Sequence, residues 1–416
     1  MEYIKILIKC RGGIGMYRII QILLVLLIFQ DYIYDKIPMF SNFEEIVMVL
    51  AIIYIFILLT MGRKKIVLSK YDIISFILLI LYSIVGIISN FKYELLDISK
   101  AFLSLILTIK GYLLYFSFRI IFKYYKIDYK ILKPIVKLLK ISLYLFAGIG
   151  LINLPFGFLK TSGIRFGIST VAIGFSHVTE LAFFSILSMC IILFYNACEK
   201  NKKDEKKVLL ATFILVILSG RSKAIGFIAI FLLLYIIMKK ARKLKISQII
   251  ILSPIALYIG VPRIYSELVT GARGELYRTS IAIAGDNWPL GSGFGTFGSH
   301  ISRVYYSPLY YKYGISNFWG LSPQMPKFIV DTYWAMVLGE CGYIGLVLMI
   351  GCIFFIFIQF FKSKFDKTLK LPMVGLIIYT LVSSIAEPIY SSNKSAILFI
   401  ILALFISVDI SRVPNR

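Results

Sequence analysis

The chain has 416 residues, of which 59% are hydrophobic and only 16% are charged, and its mean hydropathy is +0.86. This composition excludes a soluble globular protein, which could not bury so much apolar surface, and predicts a polytopic membrane protein. The net charge of +25 would indicate a nucleic-acid partner in a soluble protein, so the distribution of that charge has to be considered.

Apolar runs that approach the length of about 20 residues needed to cross a bilayer follow one another along the chain. Twelve candidate spans are predicted, at 19–34, 45–62, 71–89, 99–122, 138–154, 178–196, 207–220, 223–238, 247–262, 342–361, 371–388 and 394–411. The seventh and eighth are joined so tightly that ten or eleven spans are alternatives. No soluble domain separates them, so we predict one all-α transmembrane helix bundle over residues 1–416.

The Lys and Arg residues are distributed unequally between the two sides that these spans define. If the N-terminus is cytoplasmic, 29 of the 46 lie in inner segments and only 14 in outer ones, six of them in the long loop 263–330 between spans nine and ten. This asymmetry follows the positive-inside rule, so both termini are predicted to be cytoplasmic and residues 263–330 to lie outside. It also accounts for most of the basic charge, so a nucleic-acid partner is not expected.

Several basic residues nevertheless lie on the predicted outer side. Arg165 and His177 fall in one outer loop, and Arg221 and Lys223 occupy the tight joint "LSGRSKAIGF". Such cations either extend to lipid phosphate or bind a phosphate or pyrophosphate ligand, which Arg can contact with two parallel hydrogen bonds. Because the "SG" turn fixes this pair at a helix start, phosphate recognition is favoured. His177 and His300 are too isolated to predict a metal site.

Residues 271–286, "GARGELYRTSIAIAGD", have helical spacing and predict a helix that lies on the membrane or caps the bundle. One face of this helix would contain Arg273, Leu276, Tyr277, Ser280, Ile281 and Ala284. An arginine on the inward face needs a partner, because an unpaired buried charge costs several kcal/mol. The partner of Arg273 would be Glu275 or Asp286 in a structural ion pair, or the phosphate of a ligand.

The sequence "GDNWPLGSGFGTFGSH" at 285–300 has the glycine density of a nucleotide-binding loop but lies in the outward segment. It does not follow a buried strand, so a dinucleotide site is not expected. The glycines either form a compact turn against the bundle or let backbone N–H groups approach an anionic ligand. We predict a rigid outer lid over the bound ligand, in which Gly291, Gly293 and Gly295 turn the backbone sharply and Trp288 and Phe294 supply apolar faces.

Two carboxylates flank a short apolar stretch at the predicted outer edge of the bundle. Asp331 and Glu340 occur in "DTYWAMVLGECGYIGLVLMI", just before a predicted span. Carboxylates in such places are candidate general bases, because partial burial raises their pKa. The structural alternatives are a helix N-cap for Asp331 and a solvated surface position for Glu340.

Together these segments resemble the O-antigen ligase and polymerase superfamily of bacterial membrane glycosyltransferases. "RFG…GFSHVTELAFF" is similar to the family's Arg, Gly and "HPN" segment, with Val178 and Thr179 in place of Pro-Asn, and "LSGRSKAIGF" is similar to its "SGSR" helix start. "LYRTSIAIAGDNWPLGSGFGTFGSHIS" looks like the outer-loop signature of capsule-type polymerases. "DTYWAMVLGECGYIGLVL" resembles the "HN…E.G.iG" stretch, with Asp331 where ligases carry His. The similarity covers the C-terminal two thirds of the chain.

The resemblance implies a GT-C-like fold and a substrate linked through pyrophosphate to undecaprenol, used on the outer side of the membrane without a nucleotide sugar, cofactor or metal. It implies that Arg165, Arg221 and Arg273 contact the pyrophosphate and that Asp331 or Glu340 serves as the base. With such a substrate, Trp288 and Phe294 of the predicted lid would contact sugar rings and acyl chain. Further candidate substrate contacts are Lys223, Arg278, His177, His300, Trp288, Gly293 and Gly295.

We therefore expect a polymerase of the bacterial plasma membrane that joins undecaprenyl-pyrophosphate-linked oligosaccharides into capsule, exopolysaccharide or O-antigen. A chain-length regulator and a flippase are the expected protein partners. The alternatives are a ligase that transfers finished glycan to another acceptor, and a lipid-linked oligosaccharide flippase. A transporter should show repeated halves or charges deep in several spans, whereas Lys110 and Arg119 share one span, which favours the enzyme.

The predicted topology can be tested with single cysteines labelled from outside the cell. A cysteine placed at Ser307, in the outer loop, should react with a membrane-impermeant maleimide, and one at Lys203, in an inner loop, should not. Reaction at position 203 and protection at 307 would reverse the orientation and remove every assignment that depends on an outward-facing site.

Overall fold

The computed structural model describes residues 2–60, 68–240 and 271–408, and these residues are mostly helical. The helices are α1 (Glu2–Ile28), α2 (Gln30–Tyr34), α3 (Phe43–Thr60), α4 (Lys70–Tyr93), α5 (Ile98–Tyr125), α6 (Lys133–Phe156), α7 (Val178–Cys198), α8 (Glu205–Ser219), α9 (Ser222–Lys240), α10 (Ala272–Asp286), α11 (His300–Val304), α12 (Pro308–Lys312), α13 (Tyr333–Lys362), α14 (Lys367–Ser384) and α15 (Lys394–Ser407). Short 3₁₀ turns occupy Pro38–Asn42, Tyr129–Leu132 and Ile315–Asn317. A two-stranded antiparallel hairpin, β1 (Thr161–Arg165) and β2 (Ile168–Val171), is an element that the all-helical prediction missed.

The expectation of an all-α membrane protein is confirmed at the level of helix length and apolarity. Over the described ranges, six segments are long and apolar enough to cross a bilayer: Pro38–Thr60, Lys70–Tyr93, Ile98–Tyr125, Tyr129–Phe156, Val178–Cys198 and Tyr333–Lys362. Shorter apolar helices cover Gly15–Ile28, Ser222–Ile237 and Lys394–Ser407. The predicted spans 207–220 and 371–388 correspond to α8 and α14, and the predicted span 247–262 lies outside the described residues. The number twelve therefore stays a prediction.

The short helix α15 lies in the interior of the bundle. Its residues from Ser395 to Phe405 are all buried, and α15 packs along α5. The ring of Phe399 lies 4.5 Å from that of Tyr112, and the ring of Phe405 lies 4.1 Å from that of Phe194 on α7. A helix that is apolar on every side lies either in a protein core or in the lipid of a bilayer, and α15 is of the first kind.

The two buried charged residues of α5 are paired with carboxylates of neighbouring helices. Arg119 Nη2 donates to Asp72 Oδ2 at 2.9 Å, and Lys110 Nζ donates to Glu44 Oε1 at 2.8 Å. Glu45 Oε1 accepts a second bond from Lys110 at 2.6 Å. Because an unpaired charge in this environment would cost several kcal/mol, these pairs fix the packing of α3, α4 and α5.

The glycine-rich loop is buried inside the molecule. Residues 291–299 are buried between α4 and α13. Asn90 of α4 brackets Phe294: its Nδ2 donates to the carbonyl of Phe294 at 3.0 Å, and its Oδ1 accepts from the Phe294 N–H at 2.8 Å. Glu340 holds the other side of the loop, because its Oε1 accepts from the N–H groups of Gly295 at 2.8 Å and Phe297 at 3.3 Å. The geometry thus favours the packing interpretation of this loop over the lid.

Two glycines permit the contact between this loop and α13. A Cβ atom on Gly291 would lie 2.4 Å from the backbone carbonyl carbon of Glu340, which no real side chain tolerates. Gly342 interrupts the helical geometry of α13 with φ 64° and ψ −164°, and a Cβ there would lie 2.3 Å from the carbonyl carbon of Leu290. The backbone of the loop and that of the helix therefore touch directly, and glycine is required on both sides.

The helix predicted at 271–286 is confirmed as α10, but its buried face is rotated from the predicted one. Leu276, Ser280 and Ala284 are buried as expected, together with Thr279 and Ile283. Ile281, which was predicted to face inward, is 55% exposed, so that part of the prediction was wrong. The inward stripe follows the i, i+3, i+4, i+7 spacing from Leu276, and the sequence alone did not fix where that stripe begins.

The contact between the glycine loop and α13 predicts a sharp difference between two glycine substitutions. Gly291→Ala should lower the stability of the purified protein by about 1–3 kcal/mol, because the new methyl group has no space against backbone atoms. Gly285→Ala, near the end of α10, is the matched control, since a Cβ there meets no atom within 4 Å. Melting temperatures in detergent measure both. Equal melting temperatures for wild type and Gly291→Ala would show that the loop is not packed against α13 as described.

Candidate functional site

A cavity of about 1000 Å³ opens among the ends of several helices. Its wall contains the first residues of α7, α9, α10 and α15, as well as Asp31 of α2 and the end of strand β1. Among the described helices of 14 residues or more, these four present their N-terminal ends to the cavity. The N-terminus of a helix carries about half a positive charge and free N–H groups, so this arrangement favours an anionic ligand.

The charged side chains of the wall add to this positive potential. In the part of the chain that the structure describes, six cations line the cavity: Arg165, Arg221, Lys223, Arg273, Lys327 and Lys394. Four carboxylates line it as well: Asp31, Glu180, Asp331 and Glu387. Among these described residues the cations outnumber the carboxylates, which favours a negatively charged ligand. The fold thus brings three arginines from separate segments of the sequence to one cavity: Arg165, Arg221 and Arg273. Lys223, His177 and Asp331 line the same cavity.

Gly220 positions two of these arginines. It ends α8 in the left-handed region with φ 60°, and its backbone packs against the β1–β2 hairpin. A Cβ on Gly220 would lie 2.4 Å from Thr170 Cγ2 and 3.2 Å from the Cβ of Arg165. Because a side chain at position 220 would displace the hairpin, glycine keeps Arg165 next to the turn that carries Arg221.

Arg221 is oriented by a neutral histidine. Its Nη2 lies 2.8 Å from Nε2 of His177, the residue that caps the N-terminus of α7. Burial, and after it the positive charge of the neighbouring Arg221, lower the pKa of the His177 imidazole to about 4. At neutral pH the ring is therefore uncharged, so one of its nitrogens can accept a hydrogen bond from the guanidinium.

Arg273 pairs with Asp331 across the cavity wall. Its Nη2 donates to Asp331 Oδ2 at 2.7 Å, and the two side chains are 22% and 25% exposed, so a ligand can reach both. Burial raises the pKa of the Asp331 carboxyl, and the charge of Arg273 only partly opposes this effect. The predicted structural partners of Arg273 were wrong, because Glu275 instead pairs with Arg278 at 2.5 Å and Asp286 accepts from Tyr313.

A chain of alternating charges crosses the floor of the cavity. Lys223 contacts Glu387, Glu387 also contacts Lys394 at 3.4 Å, and Lys394 reaches Glu180 at 2.8 Å. Glu387 thus neutralises two cations that come from α9 and α15. Sequence reasoning missed Glu180, Glu387 and Lys394. A usable signal was present in "AEPIYSSNKSAILF", where an acid and a base flank a polar turn between two apolar helices.

Much of the remaining wall of the cavity is apolar. Aromatic and aliphatic side chains from α1, α7, α9 and α15 form it: Leu27, Ile28, Phe183, Phe184, Phe227, Ile230 and Ile397. A cavity with one cationic region and one apolar wall fits an amphiphile that carries an anionic group on a hydrocarbon chain better than it fits a free sugar or a nucleotide.

The other residues predicted for the site do not line the cavity. Glu340 is buried and bonded to the glycine loop, and Gly293 and Gly295 lie in that loop. Trp288 is 66% exposed and packs on Tyr343, with ring centroids 5.4 Å apart. His300 pairs with Arg303, and Arg278 with Glu275. Asp331 does not cap a helix, because the N-cap position of α13 belongs to Thr332.

Metal ligation and similarity to known proteins give no further assignment. Over the described residues, His, Cys, Asp and Glu side chains do not form a group of three that could hold a metal ion. Comparison of the sequence with protein-family models and with curated proteins finds no match. The function has to be inferred from the residues of the cavity.

Proposed function

We propose that this protein is a glycosyltransferase of the bacterial plasma membrane that polymerises undecaprenyl-pyrophosphate-linked oligosaccharide units on its outer face. The observation that carries the proposal is the meeting of Arg165, Arg221 and Arg273 at one cavity. They lie between 52 and 108 positions apart along the chain, so their assembly is a property of the fold. Guanidinium groups contact phosphate oxygens with paired hydrogen bonds, which suits a pyrophosphate.

The cavity has one region that suits the pyrophosphate of a lipid-linked substrate and another that suits its polyprenyl chain. The pyrophosphate would lie at the four helix N-termini, where backbone N–H groups and the arginines neutralise its charge. The polyprenyl chain would lie along the apolar wall that includes Phe183, Phe227 and Ile397. The fit of one ligand to both regions supports a lipid-linked donor over a soluble one.

Asp331 is the carboxylate best placed to act as the base. It is one quarter exposed at the cavity, whereas Glu340 is fully buried under the glycine loop. In the proposed reaction, a hydroxyl of the incoming unit attacks the anomeric carbon of the growing chain. The bond from that carbon to the pyrophosphate oxygen breaks, the oxygen keeps the electron pair, and the hydroxyl proton passes to Asp331. The products are the lengthened lipid-linked chain and undecaprenyl pyrophosphate.

The cations stabilise the leaving group in this reaction. Negative charge on the pyrophosphate increases as the anomeric bond breaks, so Arg221 and Arg273 bind the transition state more strongly than the ground state. The raised pKa of Asp331 makes its carboxylate a better proton acceptor than an ordinary aspartate. Arg273 contacts Asp331 directly, so it would also hold the base in position.

The test compares arginine and aspartate variants in a deletion strain that carries the gene on a plasmid. Arg221→Ala, Arg273→Ala and Asp331→Asn should each reduce polymer by roughly tenfold to a hundredfold or more, since a charge-assisted contact contributes about 1.5–3 kcal/mol. Arg221→Lys and Arg273→Lys should restore only part of it, because lysine cannot make the paired contact. Polymer is measured by immunoblotting, with membrane levels of the protein measured in parallel.

Arg303→Ala is the matched control, since Arg303 lies in α11 away from the cavity and contacts His300 at 3.2 Å. The lipid-linked glycan of the deletion strain separates the alternatives. Single units on the lipid carrier indicate a polymerase, finished polymer on the carrier indicates a ligase, and units left on the inner face indicate a flippase. Wild-type polymer in the Arg221→Ala and Arg273→Ala strains would exclude a pyrophosphate role for this cavity.

A further inference from the structure

An exposed tryptophan stands at the mouth of the cavity. Trp319 lines the cavity and is 67% exposed, although a large aromatic side chain is usually mostly buried. Phe318, Lys327 and Phe328 line the same part of the wall. The polar and apolar regions described above account for a pyrophosphate and a lipid, but they assign no contact to the sugars. The mouth of the cavity is where the sugars would have to lie.

The tryptophan is held on a rigid support. Its ring lies 5.4 Å from that of Phe328, and Phe328 N–H donates to the carbonyl of Gly320 at 2.9 Å. Gly320 has φ 83°, and a Cβ there would lie 2.2 Å from the Phe328 ring. A glycine is therefore required next to Trp319 for the two rings to meet.

The same support is connected to the proposed base. The backbone N–H of Asp331 donates to the carbonyl of Phe328 at 3.0 Å, which closes a turn between the aromatic pair and the carboxylate. A sugar ring stacked on Trp319 and Phe328 would therefore lie at a fixed distance from the carboxylate of Asp331. Positioning of this kind is what a bimolecular transfer between two large substrates requires.

We propose that Trp319, supported by Phe328, is a sugar-binding subsite that stacks on a ring of the lipid-linked oligosaccharide and presents it to Asp331. The proposal rests on the function proposed above. A pyranose ring has one face of C–H groups that packs on an aromatic ring, while its hydroxyl groups stay in water. An exposed, rigid tryptophan beside a cationic cavity offers such a surface. This assigns to Trp319 the sugar contact that the sequence predicted for Trp288.

The competing explanation is that Trp319 only anchors the protein at the membrane interface, where tryptophan is common. Trp288 provides the comparison, because it has nearly the same exposure and also packs on an aromatic ring at 5.4 Å, but it does not line the cavity. If both residues only anchor the protein at the interface, substituting either one should have the same effect on ligand binding. If Trp319 binds a sugar, only its substitution should weaken binding of the oligosaccharide.

The experiment measures binding of two probes to the full-length protein in lipid nanodiscs. One probe is synthetic undecaprenyl pyrophosphate, and the other is the lipid-linked oligosaccharide extracted from the deletion strain. Trp319→Ala should weaken binding of the oligosaccharide probe about tenfold and leave binding of the sugar-free probe unchanged. Tenfold corresponds to about 1.4 kcal/mol. Trp319→Phe should restore part of the loss. Tyr311→Ala is the control, since Tyr311 is 60% exposed, packs on Tyr306 and lies off the cavity.

Three results would overturn the subsite. If Trp319→Ala weakened binding of both probes equally, the role of Trp319 would be structural. Unchanged binding of both probes would mean that the sugars do not touch Trp319. A selective loss in Trp288→Ala, with none in Trp319→Ala, would place the glycan beside the glycine loop. Failure of the proposed function looks different, because Arg221→Ala would then bind the sugar-free probe as well as wild type does.

Discussion

The crowding of positive charge around one cavity is the constraint on which the site depends. Cations from three helices, one strand and two connecting segments repel one another, and removing them from water costs several kcal/mol each unless counter-charges are close. Glu387 supplies the counter-charge for Lys223 and Lys394, and Glu180 supplies a second one for Lys394. Asp331 supplies the counter-charge for Arg273. Over the described part of the wall the cations outnumber the carboxylates, which favours the binding of a ligand phosphate.

The rest of the fold keeps these helix ends in place. The buried helix α15 gives α5 and α7 a common packing partner, and its first turn carries Lys394 to the cavity. The glycine loop fills the space between α4 and α13, and Glu340 and Asn90 bind its backbone there. We interpret Glu340 as a structural residue for this reason. The loop stiffens the bundle next to the segment that supplies Asp331, so it acts on the site through packing.

The sequence indicated the membrane class, most of the helices and the arginines of the site, because apolar runs and outward cations are local signals. It did not indicate which residues meet. The partner of Arg273 is 58 positions away at Asp331, and Glu387 contacts a lysine that lies far earlier in the chain, so periodicity within one helix cannot reveal either pair. For the same reason, the sequence did not show which of Trp288 and Trp319 lies at the cavity. Both belong to Gly- and aromatic-rich segments of the loop that was predicted to lie outside, and only the fold shows which of them borders the cavity.

The most direct test of the central claim is photoaffinity labelling with undecaprenyl pyrophosphate that carries a photoreactive group near the first isoprene units. Labelled peptides should come from the cavity wall in α7, α9 and α15, around Phe183, Phe227 and Ile397. Excess unlabelled undecaprenyl pyrophosphate should prevent the labelling. Labelling spread over the lipid-facing surfaces of α3 and α4, or unaffected by the competitor, would contradict the account, because the cavity would then not be the binding site of the lipid-linked substrate.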